Sequence, residues 1–251
     1  MQDILEIYNS NNHLGIVTRK TTEGEEIDLV RQFIDYRKQL FIPKSDKKLG
    51  IFVEPKINDS YPDIVFVEYD PNNYENWNKN RLKLSAYDLR ILYHIYISKS
   101  IDSTKIVNQL GISWKDVTLA IENLYDSNLI TRKNKKWAIK EKKSICVRKI
   151  EAVEAKINKL DEVFQQAIIN KNFASESYAL LKVNKSPKQE KLELFEKFGL
   201  GMYLKKNNGF ATIKVANKSS IPISFNSLYF NEWIGRAIFL AKGDAYIDIK
   251  A

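Results

Sequence analysis

The chain has few of the residues from which several common kinds of site are built. Its 251 residues include one cysteine and two histidines. The single cysteine, Cys146, excludes an internal disulfide and a zinc site built from several cysteines. His13 and His94 lie far apart in the sequence, which argues against a histidine-rich metal site and most histidine-based catalysis. Nine glycines and six prolines exclude collagen-like or low-complexity sequence.

Long apolar runs are also lacking. No run approaches the roughly 18 residues that suggest a membrane span. Residues 1–6 contain early acids and do not show the basic-then-apolar pattern of a signal peptide. Hydrophobic residues make up 44% of the chain and aromatic residues 12%, enough to form a folded core. We therefore expect a cytoplasmic globular protein that has no membrane partner.

Positive charge is concentrated in one part of the chain. Lys and Arg number 40 against 31 Asp and Glu, a net charge of +9. Residues 129–149 hold nine of these cations and one acid, Glu141, a local net charge of +8. Clustered cations attract polyanions and release their counterions, so nucleic acid is the leading partner. The alternative is a solvated loop that keeps the protein soluble.

Residues 85–140 have a helical pattern of their own. Three apolar runs at helical spacing each follow a serine that can cap a helix, namely Ser85, Ser103 and Ser113. Gly111 ends the second run, because glycine accepts the left-handed conformation at a helix end. Two short strands, 129–131 and 137–139, follow around a basic tip at 132–136.

Three helices followed by a basic hairpin resemble a winged helix-turn-helix domain. In that family the third helix enters the major groove and the wing contacts phosphate. The resemblance implies DNA contacts from the third helix and the wing: Trp114, Lys115, Thr118, Arg132, Lys133, Lys135 and Lys136. Leu119 and Glu122 fall on the same exposed side of the helix and suit phosphate poorly. A winged helix used for protein contact is the alternative.

Acidic residues and a lysine occur in apolar segments on either side of this region. The segment 49–55 reads as a strand that ends near Glu54, and Asp63 precedes the apolar strand 64–67. In a strand over 150–157, Glu154 and Lys156 share one face. An acid and a lysine in an apolar strand are costly unless they serve a site or a paired network. The alternative is a solvated helix, since 151–156 is good helix-forming sequence.

Asp63 after Pro62, together with Glu154-Ala155-Lys156, resembles the PD-(D/E)xK nuclease superfamily, the fold of many restriction endonucleases. The order of helix 25–41, three strands, helix 160–170 and strand 177–183 also resembles that family. We expect an α/β (α+β) fold with a restriction endonuclease-like α-β-β-β-α-β core. The core would comprise residues 1–84 and 141–251, with an inserted winged helix domain at 85–140.

The insertion accounts for an unusual spacing. Asp63 and Glu154 are 91 positions apart, and subtracting the 56 residues of 85–140 leaves 35, nearer the family's usual separation. The insertion would also place a DNA-binding module beside the candidate site.

The resemblance implies a metal mechanism. Asp63 and Glu154, helped by the backbone carbonyl of Ala155, would hold Mg²⁺, for which Mn²⁺ can substitute. Lys156 would orient or activate the attacking water and balance charge on the phosphate. Glu54 would be a further acid near the metal, and Gln166 stands where some relatives have a supporting glutamine.

The sequence therefore predicts a Mg²⁺-dependent DNA endonuclease that hydrolyses phosphodiester bonds in double-stranded DNA, with a restriction-like defence role. One alternative is a DNA-binding regulator or adaptor without catalysis, in which these residues are structural. Another is a nuclease that acts on RNA or single strands, which ranks lower because no base-stacking pattern is evident. The amphipathic stretch 228–242 is of a kind that more often packs on the core as a helix than forms a partner site. Restriction-type nucleases often form homodimers, and this stretch is one candidate surface.

Overall fold

The computed structural model describes residues 3–20, 23–141, 144–183, 187–207 and 209–242. The strands in these ranges are β1 (Ile4–Ile7), β2 (Lys48–Val53), β3 (Ile64–Tyr69), β4 (Ile130–Lys133), β5 (Lys136–Ile139), β6 (Val147–Ile157), β7 (Glu176–Lys182), β8 (Gly201–Lys206) and β9 (Gly209–Lys214). The α-helices are α1 (Glu25–Leu40), α2 (Ala86–Ser98), α3 (Ser103–Leu110), α4 (Trp114–Asp126), α5 (Leu160–Asn170), α6 (Gln189–Lys197) and α7 (Phe225–Lys242).

Seven strands form one mixed sheet in the order β1-β2-β3-β6-β7-β8-β9. Strands β2, β3 and β6 are antiparallel neighbours, whereas β6, β7 and β8 run parallel. Helix α1 packs on one face of the sheet, and α5, α6 and α7 pack on the other. The prediction of a mixed α/β protein is confirmed.

Strand β6 lies at the centre of this sheet and is buried on both faces. Val153 and Ala155 pack in the core beneath α1, whereas Ile150 and Ala152 pack in the core beneath α7. This period-two alternation is that of a strand, so the helical interpretation of 151–156 is wrong. Good helix-forming sequence gives way here because both sheet faces offer apolar burial.

The predicted order of elements is present in the structure. Along the chain α1 is followed by β2, β3, β6, α5 and β7, with residues 85–140 between β3 and β6. Residues 1–20 carry no motif that predicts their structure or role, but Ile4–Ile7 forms edge strand β1, parallel to β2.

Residues 85–140 build a core of their own from α2, α3, α4 and the hairpin β4–β5. Ser85 and Asp88 form the predicted capping box, and Gly111 ends α3 at φ 62°. The predicted cap of α3 is wrong by one residue. The Asp102 side chain accepts the N–H of Lys105 at 2.9 Å, whereas the Ser103 hydroxyl accepts the indole N–H of Trp137.

The hairpin is longer and its turn tighter than predicted. Lys133 pairs directly with Lys136, so only Asn134 and Lys135 form the turn. Both have positive φ, 51° and 62°, as a two-residue hairpin turn requires. The basic residues predicted as a loop therefore lie largely on paired strands.

Helix α7 is enclosed by the rest of the fold. The rings of Phe230 and Trp233 pack on the Phe52 ring of the sheet. Their centroids lie 5.3 and 5.8 Å, respectively, from the Phe52 centroid. Leu228, near the N-terminus of α7, packs into the core of residues 85–140. Residues 226–238 are buried or nearly so, apart from half-buried Tyr229. The interpretation of this stretch as a helix that packs on the core is therefore confirmed, whereas a homodimer stays a prediction.

Candidate active site

The acids predicted from distant motifs meet at one end of the sheet. Ile64 of β3 lies opposite Val153 of β6, which places Asp63 beside Glu154. The backbone N–H of Ala155 donates to Asp63 Oδ2 at 2.7 Å. Glu154 is buried and Asp63 is half-buried, so solvent reaches the pair from the Asp63 side. The structure thus brings together Asp63, Glu154 and Ala155.

The pKa values of both carboxyl groups are raised. Burial raises the pKa of Glu154 well above the usual range of a glutamate, and the adjacent Asp63 carboxylate raises it further. Burial also raises the pKa of Asp63, although the Ala155 N–H and the Lys156 ammonium oppose this. Two adjacent acids in a poorly solvated place do not both ionise readily. The rise is larger for Glu154, the more deeply buried of the two, so protonation of the pair is favoured at Glu154.

Asn170 holds Glu154 from the other side. It lies at the end of α5, is buried, and its Nδ2 donates to Glu154 Oε1 at 2.7 Å. Asn170 continues the buried row of Val163 and Ala167, whereas Gln166 falls outside that row and is exposed. The structure therefore does not bring Gln166 to the pair. No motif marks Asn170, but its position on the apolar face of α5 could have suggested it.

Lys156 lies beside the pair as a cation. Its Nζ donates to Glu26 Oε2, on the first turn of α1, at 2.9 Å. Partial burial acts to lower the pKa of this ammonium, but the hydrogen bond to Glu26 and the charges of Asp63 and Glu154 outweigh burial and raise it. Lys156 is therefore protonated at neutral pH, and it is not a general base in this arrangement. Glu26 was missed because it lies 130 positions away in the sequence.

Glu54 borders the pair without joining it. The residue follows β2 at φ 47°, and its N–H donates to the Asp63 carbonyl at 3.1 Å. Its carboxylate lies 3.8 Å from Arg19, whose guanidinium stacks over the Tyr61 ring. Burial and the charge of Asp63 raise the pKa of Glu54. Within the described ranges, no group of three or more His, Cys, Asp or Glu side chains is placed to hold a metal ion. Any cation here would therefore draw on the Asp63–Glu154 pair.

The predicted DNA-binding residues are exposed on residues 85–140. Trp114, Lys115 and Thr118 lie on the surface of α4. The exposed cations of the hairpin are Arg132, Lys133, Lys135 and Lys136. Their contact with DNA stays a prediction.

The cluster of positive charge is smaller than the sequence suggested. Arg148 pairs with Asp46 and Asp70 on the surface. Lys149 pairs with Glu151 at 2.8 Å and with Glu176 at 3.1 Å. Two further lysines of the cluster, at 142 and 143, lie outside the described residues. Within this cluster, the exposed positive charge that the structure describes is therefore centred on the hairpin.

Residues 85–140 join the sheet at the end opposite the acid pair. Asp63 precedes β3, whereas the chain leaves β3 after Tyr69 and re-enters the sheet at Val147 of β6. A six-residue strand is roughly 20 Å long. The expectation that the insertion joins the fold beside the candidate site is therefore wrong.

Comparisons with protein-family models, curated proteins and solved structures find no match to this chain. Among the residues described, no helix is both long and apolar enough to cross a membrane.

Proposed function

We propose that this chain is a Mg²⁺-dependent DNA endonuclease whose metal ligands are Asp63 and Glu154. The observation that carries the proposal is the Asp63–Glu154 pair, assembled from two distant parts of the chain beside the Lys156 cation. Two adjacent carboxyl groups in a poorly solvated place repel each other when ionised, and this repulsion destabilises the folded chain. A bound metal cation would remove it. Perturbed acids of this kind are concentrated at functional sites.

The donor set suits Mg²⁺. This ion takes oxygen ligands and commonly binds through one or two carboxylates, with water and substrate phosphate completing its shell. Two carboxylates without a third acid therefore suffice, and a divalent cation would replace the proton that the raised pKa values favour. Bound there, Mg²⁺ would polarise the phosphate and lower the pKa of a bound water. Mn²⁺ has similar ligand preferences and is expected to substitute.

The neighbouring residues fix this arrangement. The Ala155 N–H orients Asp63, and the Asn170 amide orients Glu154, so both carboxylates are held before any ligand binds. The Lys156 ammonium, held by Glu26, would stabilise negative charge on the phosphate as the bond to the leaving oxygen breaks. Because Lys156 is a cation, its proposed role is electrostatic, and the water proton must go elsewhere.

The order of elements supports a restriction endonuclease-like core with an inserted winged helix domain. Helix α1, strands β2, β3 and β6, helix α5 and strand β7 follow the α-β-β-β-α-β order of restriction endonuclease-like nucleases. Helices α2, α3 and α4 with the hairpin follow the order of a winged helix-turn-helix domain. A restriction-like defence role is part of this proposal.

The test is cleavage of supercoiled plasmid DNA in Mg²⁺, with Mn²⁺ in parallel. Wild type should nick or linearise the plasmid, whereas Asp63→Asn and Lys156→Gln should lose at least about 100-fold in rate, as expected when transition-state stabilisation is removed. Gln166→Ala is the matched control, exposed on a helix that carries a site residue, and should cut like wild type. Binding without cutting by wild type, in both metals and on several DNAs, would establish the non-catalytic regulator instead.

A further inference from the structure

We infer that the β4–β5 hairpin, and not helix α4, carries duplex DNA binding, and that it grips phosphates without reading sequence. The inference rests on the proposed function, in which DNA is the substrate. It differs from the expectation drawn from winged helix proteins, where the third helix enters the major groove.

The exposed surface of α4 has the wrong charge for the major groove. It presents one cation, Lys115, against three exposed acids, Asp116, Glu122 and Asp126. A helix in the groove lies between two rows of phosphates, so a net negative surface is repelled on both sides. The exposed side chains of Trp114 and Leu119 carry no charge to offset these acids: Leu119 is apolar, and Trp114 offers only a neutral indole N–H.

The polar groups at the N-terminus of α4 are already engaged. The Ser113 hydroxyl donates to Asp116 Oδ2 at 2.7 Å and accepts the Asp116 N–H. The Thr118 hydroxyl donates to the Trp114 carbonyl at 2.8 Å. A helix N-terminus attracts phosphate through its unpaired N–H groups and its dipole. Here Asp116 supplies the negative charge instead, so a phosphate would have to displace it.

The hairpin has the opposite character. Residues 130–140 contain five cations and no acid. Lys133 and Lys136 form a cross-strand pair, Lys135 forms the tip, and Arg132 stacks over the Trp137 ring at 5.2 Å. Successive strand residues point to opposite faces, so both faces and the tip carry positive charge. Such a finger can lie along a phosphate backbone in either groove.

The hairpin sequence is not the one that would stabilise the hairpin best. Lys135 has φ 62° at a turn position where glycine is favoured. Lys133 and Lys136 are directly opposite each other, and like charges in that position repel. Both choices weaken the isolated hairpin and both add exposed positive charge. A polyanion partner accounts for them, whereas a role in solubility requires neither.

Because the residues that weaken the hairpin also carry its charge, a variant can lose charge without losing stability. Weaker DNA binding by such a variant cannot then be explained by unfolding. Lys135→Gly should leave the melting temperature unchanged or raise it, and Lys136→Glu should do the same by creating an opposite-charge pair with Lys133. Both should weaken DNA binding. The matched control is Lys115→Ala, which removes one cation from α4.

Binding is measured by fluorescence anisotropy with two 30-bp duplexes of unrelated sequence, in EDTA, from 50 to 300 mM salt. Each hairpin lysine that contacts a phosphate contributes about 0.9 to the slope of log affinity against log salt. Lys135→Gly should flatten the slope by about 1, and Lys133→Ala/Lys135→Gly/Lys136→Ala by about 3, with equal affinity for both duplexes. Lys115→Ala should leave the slope unchanged.

A slope that falls in Lys115→Ala but not in the hairpin variants would overturn the inference, as would a strong preference for one duplex. Because no metal is present, cleavage does not enter the measurement. A chain that binds through the hairpin but never cuts overturns only the proposed function. A chain that cuts while the hairpin variants bind like wild type overturns only this inference.

Discussion

Replacing Glu154 with glutamine should stabilise the fold, although the residue is buried and central to the site. Glutamine resembles a protonated glutamate, the form that the raised pKa of Glu154 favours. Its Oε1 can still accept the Asn170 N–H, and its Nε2 can donate to Asp63 as a protonated Glu154 would. The variant therefore keeps both hydrogen bonds and removes the need to bind a proton.

The expected gain in the free energy of unfolding is estimated from the cost of keeping the Glu154 carboxyl group protonated. At pH 7.3, keeping a carboxyl group with an unfolded pKa of about 4.3 protonated costs about 4 kcal/mol. That figure is an upper bound on the gain, because Asp63 is half-buried and water lessens the repulsion. We expect the free energy of unfolding to rise by about 1 to 3 kcal/mol.

The pH dependence has a definite sign. An acid whose pKa is raised by folding binds more protons in the folded state than in the unfolded state. It therefore lowers stability progressively as pH rises above its unfolded pKa. The advantage of Glu154→Gln should be small at about pH 4, where the carboxyl group is mostly protonated in the unfolded state as well, and should grow towards neutral pH.

Glu151 in the same strand provides a control of opposite sign. Burial alone would raise the pKa of Glu151, but ion pairs with Arg37 and Lys149 overcome burial and lower it to about 2. Glu151→Gln should therefore lose about 3 kcal/mol at pH 7, a loss that disappears as pH falls towards 2. Its carboxylate is fully enclosed, so solvent screening weakens this contribution little.

The assay is urea unfolding followed by tryptophan fluorescence at pH 7.3 and pH 4, with wild type and both variants. Opposite shifts at pH 7.3, positive for Glu154→Gln and negative for Glu151→Gln, are expected. Destabilisation by Glu154→Gln at pH 7.3 would refute the protonation of Glu154 in the folded chain.

Three further predictions concern neighbouring features. Asn170→Leu should weaken Mn²⁺ binding by about tenfold, because Glu154 loses its orienting donor. Binding is measured by electron paramagnetic resonance, with Gln166→Ala as a control that should bind like wild type. Equal effects of the two substitutions would contradict the role of Asn170. Gly235→Ala should lower the free energy of unfolding by about 1 to 3 kcal/mol, because a Cβ there would lie 2.2 Å from Trp77 Nε1; an unchanged melting temperature would contradict this packing. Burial raises the pKa of Cys146 to about 12, so a disulfide reagent at pH 8 should modify it only in urea, and rapid modification of the native chain would contradict its burial.

Apolar periodicity predicted the elements whose burial is regular. The prediction for α5 has the observed bounds, Leu160–Asn170, because its buried residues recur at helical spacing up to its end. Strand β1 was not predicted, because the segment Ile4–Ile7 has only four residues. Alternation over so few residues does not distinguish a strand from a loop. The alternative of a helix at 151–156 was removed only by pairing with β3 and β7, which lie far away in the sequence.

The candidate site was predictable as far as its local motifs extend. Asp63, Glu154 and Lys156 stood out because acids and a lysine flank or interrupt apolar strands. Glu26 reaches the site only because α1 packs across the sheet, which no local pattern reports. For Asn170 the sequence offers one signal, a polar residue on the apolar face of α5.

The sequence overestimated the exposed positive charge of the basic cluster for a related reason. Lys and Arg were counted along the chain, whereas their partners come from elsewhere in the fold. Arg148 and Lys149 belong to the basic cluster in the sequence, yet both are ion-paired in the structure.

The most direct test of the central claim uses the variant that should be more stable than wild type. Single-turnover cleavage of duplex DNA in Mg²⁺ is measured for wild type and Glu154→Gln, with unfolding curves on the same preparations. If the Asp63–Glu154 pair binds the catalytic metal, Glu154→Gln should cut at least about 1,000-fold more slowly while unfolding at higher urea, since a lost charged ligand removes several kcal/mol of transition-state stabilisation. Cleavage at the wild-type rate by this variant would show that the pair is not the catalytic centre.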